Sequence, residues 1–243
     1  MADGDANNEL KRALRALARA DEDLARAIRV AGPLPDRSRP PGFQTLLRSI
    51  CFQQLSIASA GAIWQRLEAR VSPLDPQGLL ALDEDALRGL GLSRPKARYA
   101  LALAESIVGG SLDLDMLHAM DDEAAIAALC QVKGVGRWTA EIYLLFALGR
   151  SDTFPADDLA LQVAAQHVKK LRKRPDGTKM RKLAEAWSPH RGVAARLLWH
   201  YYRAAKAQGM LEKPKRPKQA KAEASPRRSS RAKTVKRRKQ GRG

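Results

Sequence analysis

Helical periodicity recurs along most of the chain. From Glu9 to Val30 apolar residues fall at Leu10, Leu14 and Leu17, then at Leu24, Ala27 and Ile28, the spacing of an amphipathic helix face. Asp21 interrupts the pattern and reads as the N-cap of the second of two short helices. Residues 1–8 read as disordered, and Gly32-Pro33 with the run Pro35 to Pro41 reads as a loop. Phe43 to Val71 is helical with a break near Ser56, the second helix starting within Ile57-Ala58-Ser59. Short helices follow at Pro76 to Leu82 and at Glu84 to Gly89, the latter capped by Asp83. Further helical stretches run over Ala97 to Val108, Leu112 to Met120, Glu123 to Leu129 and Trp138 to Leu148. The pattern resumes over Leu159 to Leu171, then Lys179 to Trp187 capped by Thr178, and a last helix opened by Pro189 reaches about Gln208. No alternating run of β-branched residues occurs, so the expected fold is all-α.

Two places break the periodicity in a chemically suggestive way. Gly134 and Gly136 lie between two apolar helical runs, and glycine in a helix interior costs about 1 kcal/mol, so the pair predicts a tight hairpin. The first N–H groups of the next helix then point outward beside Lys133 and Arg137, which makes an anion site suited to phosphate. About one helix later comes Phe154-Pro155-Ala156-Asp157-Asp158-Leu159, two carboxylates at a helix start. Taken alone, Asp157 and Asp158 read as caps. Leu90 to Lys96 is a second Gly-containing turn with basic residues, mostly structural, in which Arg94 and Lys96 are candidate phosphate contacts.

Charge sharpens this picture. The net charge is +18, but residues 211–243 hold 14 Lys/Arg and 2 Asp/Glu, leaving 30 basic against 24 acidic residues in the first 210. The tail is expected to be disordered, because nothing apolar and periodic remains in it, and the basic balance points to a polyanionic partner. Cys51 and Cys130 sit in apolar helical runs and read as buried packing residues. The histidines show no metal-ligand spacing. There is no apolar run long enough to span a membrane and no secretory signal, so the expected setting is a cytoplasmic, nucleoid-associated one, with the Ala- and Arg-rich composition suggesting a bacterial source.

The combination of a Gly-Val-Gly hairpin, a helix and then Pro-x-Asp-Asp resembles the helix-hairpin-helix, Gly/Pro-Asp superfamily of DNA glycosylases. It is most similar to the branch of the bacterial 3-methyladenine DNA glycosylase II proteins. The resemblance spans about Pro40 to Gln208. It implies two helical lobes with the active-site cleft between them, a central lobe of about 43–149 and a second formed by 1–42 with 150–210. It further implies excision of alkylated purines from double-stranded DNA by a monomer, leaving an abasic site. Asp158 takes the place of the family's catalytic carboxylate, which stabilises an oxocarbenium-like sugar. Gln54 falls at the wedge that fills the gap of an everted nucleotide, with Leu55 beside it. Trp138 and Trp199 correspond to base-pocket aromatics, with Ile142 and Tyr143 one turn beyond Trp138. Lys133, Gly134, Gly136 and Arg137 would grip phosphate. Carbonyls of Cys130, Val132 and Val135 correspond to a family seat for Na⁺ or K⁺, and no cofactor is implied for catalysis. Where bifunctional relatives carry a Schiff-base lysine after Gly-x-Gly-Arg, this sequence has Trp138, so no lyase step is expected. Trp187 reads as core, and two cysteines cannot make a four-thiolate iron–sulfur site.

Overall fold

The computed structural model describes residues 2–211. The basic tail read for 211–243 lies, from residue 212 on, outside the described residues, as does Met1. Among the described residues the chain is helical throughout, without strands. The helices are α1 (Ala2–Ala20), α2 (Glu22–Ala31), α3 (Phe43–Phe52), α4 (Ile57–Arg70), α5 (Pro76–Leu80) and α6 (Glu84–Gly89). They continue with α7 (Arg94–Val108), α8 (Asp122–Cys130), α9 (Arg137–Phe146), α10 (Leu159–Val168), α11 (Gly177–Ala184) and α12 (Arg191–Ala207).

Side-chain caps explain why most of these helices start where they do. Asp21, Ser56, Asp75, Asp83, Asp121, Asp158 and Asp176 each accept a backbone N–H from the first turn. Such caps contribute about 1 kcal/mol each.

Four local expectations are corrected. Helix α1 begins at Ala2 instead of after a disordered segment. Leu112 to Met120 is not a continuous helix. Asp113 Oδ1 accepts the backbone N–H of Asp115 and Met116 at 2.9 and 3.2 Å, a local turn that leaves only a 3₁₀ turn at Met116–His118. Helix α10 stops at Val168 because Lys170 enters the left-handed region at φ 51° and Leu171 N–H bonds back to Gln166 O. Asp176, not Thr178, caps α11, because its carboxylate reaches Lys179 N–H at 2.8 Å.

Apolar side chains gather in two cores. One draws on α3 to α9, with Leu46, Ile50, Leu67, Leu103, Leu129 and Leu144 at its centre. The other joins α1 and α2 to α10–α12 through Leu17, Leu24, Leu161, Trp187, Leu197 and Leu198. Helix α9 serves both, Leu144 facing the first and Leu145 the second. The α9–α10 connection is pinned between them. Arg150 bonds Asp122, Leu117 O and Met120 O, each at 2.6 Å, and Thr153 Oγ1 reaches Asp122 Oδ2 at 2.5 Å. Asp152 accepts Arg191 Nη2 at 2.7 Å and Ser188 Oγ at 3.0 Å. Phe154 packs edge-on against Trp187, whose indole N–H is held by Asp21 at 2.8 Å. This bracing delivers Asp158 to a defined place. Trp187 is core, as read from its position.

Candidate active site

The hairpin joins α8 to α9. Gly134 has φ 94°, and a Cβ there would lie 2.2 Å from the ring of Tyr99 on α7, so both conformation and packing demand glycine. Val132 and Val135 anchor the turn in the core. Gly136 caps α9 without a side chain, which leaves the first N–H groups of α9 available to an anion. Lys133 is exposed beside them. Arg137 is not a free cation. It makes two hydrogen bonds to Glu123, at 2.6 and 2.9 Å, and one to Glu141 at 2.9 Å. The expected phosphate ligand is thus already neutralised by its own surroundings, and the hairpin's free charge is Lys133 alone.

Glu141 is buried, and its Oε2 has no hydrogen-bond partner among the described residues. Burial, only partly offset by Arg137, pushes its carboxyl up to about 7.

Asp158 stands at the start of α10, half-buried. Its Oδ1 accepts Leu161 N–H at 2.9 Å and the Trp199 indole N–H at 3.0 Å, and its Oδ2 accepts the Trp138 indole N–H at 2.9 Å. Two tryptophans that lie 20 and 41 residues away in opposite directions therefore converge on one carboxylate. Asp157, its neighbour, turns elsewhere. It pairs with Arg181 at 3.1 Å and lies against Gly177. The two adjacent carboxylates thus have different surroundings, and the Asp158 cap also carries both indoles.

The residues expected to form the wedge, Gln54 and Leu55, lie in the α3–α4 turn. Gln54 sits at φ 55°, unusual for a side chain other than glycine, and is exposed. Leu55 follows at 42% exposure and Ile57 at 83%. The turn is held from inside by two contacts. Gln53 Nε2 reaches Gly134 O at 3.1 Å, tying it to the hairpin. Lys96 Nζ reaches Cys51 O at 2.9 Å and Gln53 O at 2.5 Å. Lys96 is buried, so its reading as a phosphate contact is corrected: the ammonium caps the C-terminus of α3. Arg94 pairs with Glu84 at 3.2 Å.

A cleft of about 830 Å³ opens between this turn and α9. Gln54, Trp138, Ile142 and Tyr143 line it, whereas Leu55 and Trp199 do not. Trp199 instead stacks on Phe146, a lining residue, with centroids 5.8 Å apart. Tyr143, almost wholly buried, lines the cleft while its hydroxyl accepts Gly42 N–H at 2.8 Å. Sequence reasoning missed Phe146 and four arginines, Arg37, Arg39, Arg48 and Arg203, because they come from a loop and from separate helices. Cys51 is buried as expected, its thiol pushed up to about 11 by burial, but Cys130 is exposed at the end of α8.

A hairpin that leaves the first N–H groups of α9 free, a cleft lined by aromatic side chains and one carboxylate held by three N–H donors come together in an all-helical protein. Sequence comparison is specific. Residues 47–190 match the model of the HhH-GPD superfamily base excision DNA repair protein, and the chain belongs to that family. It is 31% identical to DNA-3-methyladenine glycosylase 1 of Schizosaccharomyces pombe, over 82% of this chain and 88% of that one. It is 29% identical to DNA-3-methyladenine glycosylase 2 of Escherichia coli, over 65% of this chain but only 57% of that longer protein. The solved structure of the Schizosaccharomyces pombe glycosylase in complex with abasic DNA superposes with a TM-score of 0.71, at 29% identity, over 80% of this chain and 97% of that one.

Proposed function

We propose that this protein is a monofunctional DNA glycosylase that everts an alkylated purine, 3-methyladenine or 7-methylguanine, from duplex DNA and hydrolyses its N-glycosidic bond. The observation that carries the reading is Asp158, anchored by three N–H donors, one of them the indole of Trp138, which lines the aromatic cleft. As the C1′–N bond breaks, its electron pair leaves with the base and positive charge builds on the deoxyribose. A fixed carboxylate stabilises that charge. Water then forms the new C1′–O bond and gives up a proton to Asp158. A base alkylated at ring nitrogen already carries positive charge and departs neutral, so no general acid is required.

The remaining parts have matching tasks. Gln54, backed by Leu55, fills the stack that the everted nucleotide leaves, offsetting part of the few kcal/mol of unstacking. The Trp138 face, with Ile142 and Tyr143, receives the base, and a cationic purine over an indole gains about 0.5–2 kcal/mol. Trp199 fixes Asp158. Lys133 and the backbone at Gly134 and Gly136 hold a phosphate without reading sequence. An indole at position 138 cannot form a Schiff base, so strand cleavage is absent. Among the described residues the carbonyls of Cys130 and Val135 receive no donor, and that of Val132 takes only Val135 N–H at 3.0 Å, which suits a monovalent cation at the hairpin. Catalysis needs no cofactor, and the protein acts as a monomer. The names of the Schizosaccharomyces pombe and Escherichia coli relatives support the alkylated-base reading.

The test is release of free base from methylated duplex DNA, resolved by chromatography, by wild type and Asp158→Asn. Wild type releases 3-methyladenine or 7-methylguanine and leaves the strands intact without alkali, while Asp158→Asn binds DNA but releases at least 100-fold less, on the scale of a lost electrostatic stabiliser. Equal release by both proteins would reduce Asp158 to a cap.

A further inference from the structure

Arg37, Arg39, Arg48 and Arg203 all line the cleft, and among the described residues no Asp or Glu lines it. Among the described residues none of the four makes an ion pair or a side-chain hydrogen bond, whereas Arg94, Arg98, Arg137, Arg150, Arg181 and Arg191 each meet a carboxylate within 3.2 Å. The four come from three places: the loop before α3, α3 itself and α12. Arg48 is held by rings in place of an acid. Its guanidinium carbon lies 4.4 Å from the centroid of Phe52 and 5.2 Å from that of Trp64. Stacking of this kind fixes the plane and leaves the N–H edge free. The loop is equally fixed, since Arg39 N–H bonds Phe146 O at 2.8 Å and Gly42 N–H bonds Tyr143 Oη at 2.8 Å. Positive charges gathered in one cleft without a carboxylate repel one another, and a bound anion relieves that repulsion beyond what solvent screening does.

We infer that this arginine wall is a second phosphate-binding site, distinct from the hairpin, and that its ligand is the pair of phosphodiesters flanking the everted nucleotide. The same cleft carries Gln54 and Trp138, so the strand that enters it is the one whose base is extruded. A cationic base has no affinity for the arginines and is directed to the indole of Trp138, which is bonded to Asp158, while the backbone that bears it meets the arginines. The wall therefore recognises the everted state and contributes little on an undistorted duplex. This inference rests on the reading of the cleft as the base-excision site.

Arg39→Gln and Arg203→Gln, both at exposed positions, with the double variant and the two lysine replacements, test it. Dissociation constants are measured by fluorescence anisotropy from 50 to 200 mM salt, on a duplex holding a tetrahydrofuran abasic analogue and on the undamaged duplex. The slope of log K against log salt for the abasic duplex should flatten by about 0.9 for each arginine removed, because one fewer counterion is released. The lysine variants should keep the wild-type slope, and binding to undamaged duplex should stay within twofold. An unchanged slope on the abasic duplex overturns the inference, and so does an equal loss on both duplexes. Base release by wild type and Asp158→Asn is read separately. Release that survives in wild type while the arginine variants keep the wild-type slope sinks the wall and spares the glycosylase, and absent release in wild type sinks the glycosylase reading itself.

Discussion

Replacing Lys96 by methionine tests whether the wedge turn is poised by a buried charge. Lys96 is 9% exposed and its ammonium bridges Cys51 O and Gln53 O without a carboxylate partner. Methionine leaves the buried Cys51 carbonyl unsatisfied, at about 1–3 kcal/mol, while the half-buried Gln53 carbonyl turns to water. Acting the other way, burial holds the lysine's pKa below its ordinary value, so the neutral side chain relieves a desolvation cost. The two effects largely offset, and the expected loss of global stability is about 1–2 kcal/mol. The turn itself is more sensitive. Gln54 at φ 55° is disfavoured by roughly 1–2 kcal/mol, and Lys96 and Gln53 supply the contacts that hold it there. At about 1.4 kcal/mol per factor of ten, releasing that strain lowers the poised fraction roughly tenfold. The assay is single-turnover release of methylated base, with 2-aminopurine beside the lesion reporting eversion and Lys96→Arg as the charge-retaining control. Lys96→Met should evert and release about tenfold more slowly while binding undamaged duplex within twofold of wild type. The linkage has a definite sign. A lysine whose folded pKa lies below the unfolded value binds more protons when unfolded, so wild-type stability rises with pH toward 10.5, and Lys96→Met loses that rise. Wild-type release by a folded Lys96→Met protein would refute the reasoning.

Three further outcomes follow from other contacts. Gly134→Ala combines a left-handed φ with a clash on Tyr99, and should cost about 2–4 kcal/mol, visible as a drop in the thermal midpoint together with loss of DNA binding. Glu141 holds its proton up to about pH 7 in the folded chain against 4.5 when unfolded, so its contribution to stability is full at acid pH and is lost as pH rises through that window. The gap is of order 3 kcal/mol, so Glu141→Gln should match wild type in urea unfolding near pH 4 and exceed it by up to that amount at pH 8. Trp138→Phe keeps a ring in the cleft but removes the N–H on Asp158 Oδ2, a half-exposed bond to a charge worth about 1 kcal/mol, so single-turnover release should slow about fivefold with duplex affinity retained.

Much of this protein was determined by residues close together in the chain. Helix periodicity, aspartate caps and the paired glycines at 134 and 136 act within one or two turns, so the all-α class and the hairpin could be read directly. Where a local signal had a local competitor, the reading slipped: the Asp113 turn replaced a helix, and Asp176 outreached Thr178 as a cap. The position of Asp158 at a helix start was legible in the same way, because a cap is a short-range contact. What charged side chains do was decided only by tertiary structure. Lys96 reads as a surface cation, yet α7 turns it onto the end of α3, 45 residues away from the Cys51 carbonyl it caps. Arg137 reads as a phosphate ligand until packing of α8 against α9 brings Glu123 to it. Four arginines scattered from position 37 to 203 carry no pattern at all, and line one cleft only once the fold brings together the loop before α3, α3 itself and α12. Periodicity encodes which face of an element is buried, since burial follows a repeat. Pairing between long, flexible charged groups follows no repeat, because it depends on which elements the whole fold happens to set side by side.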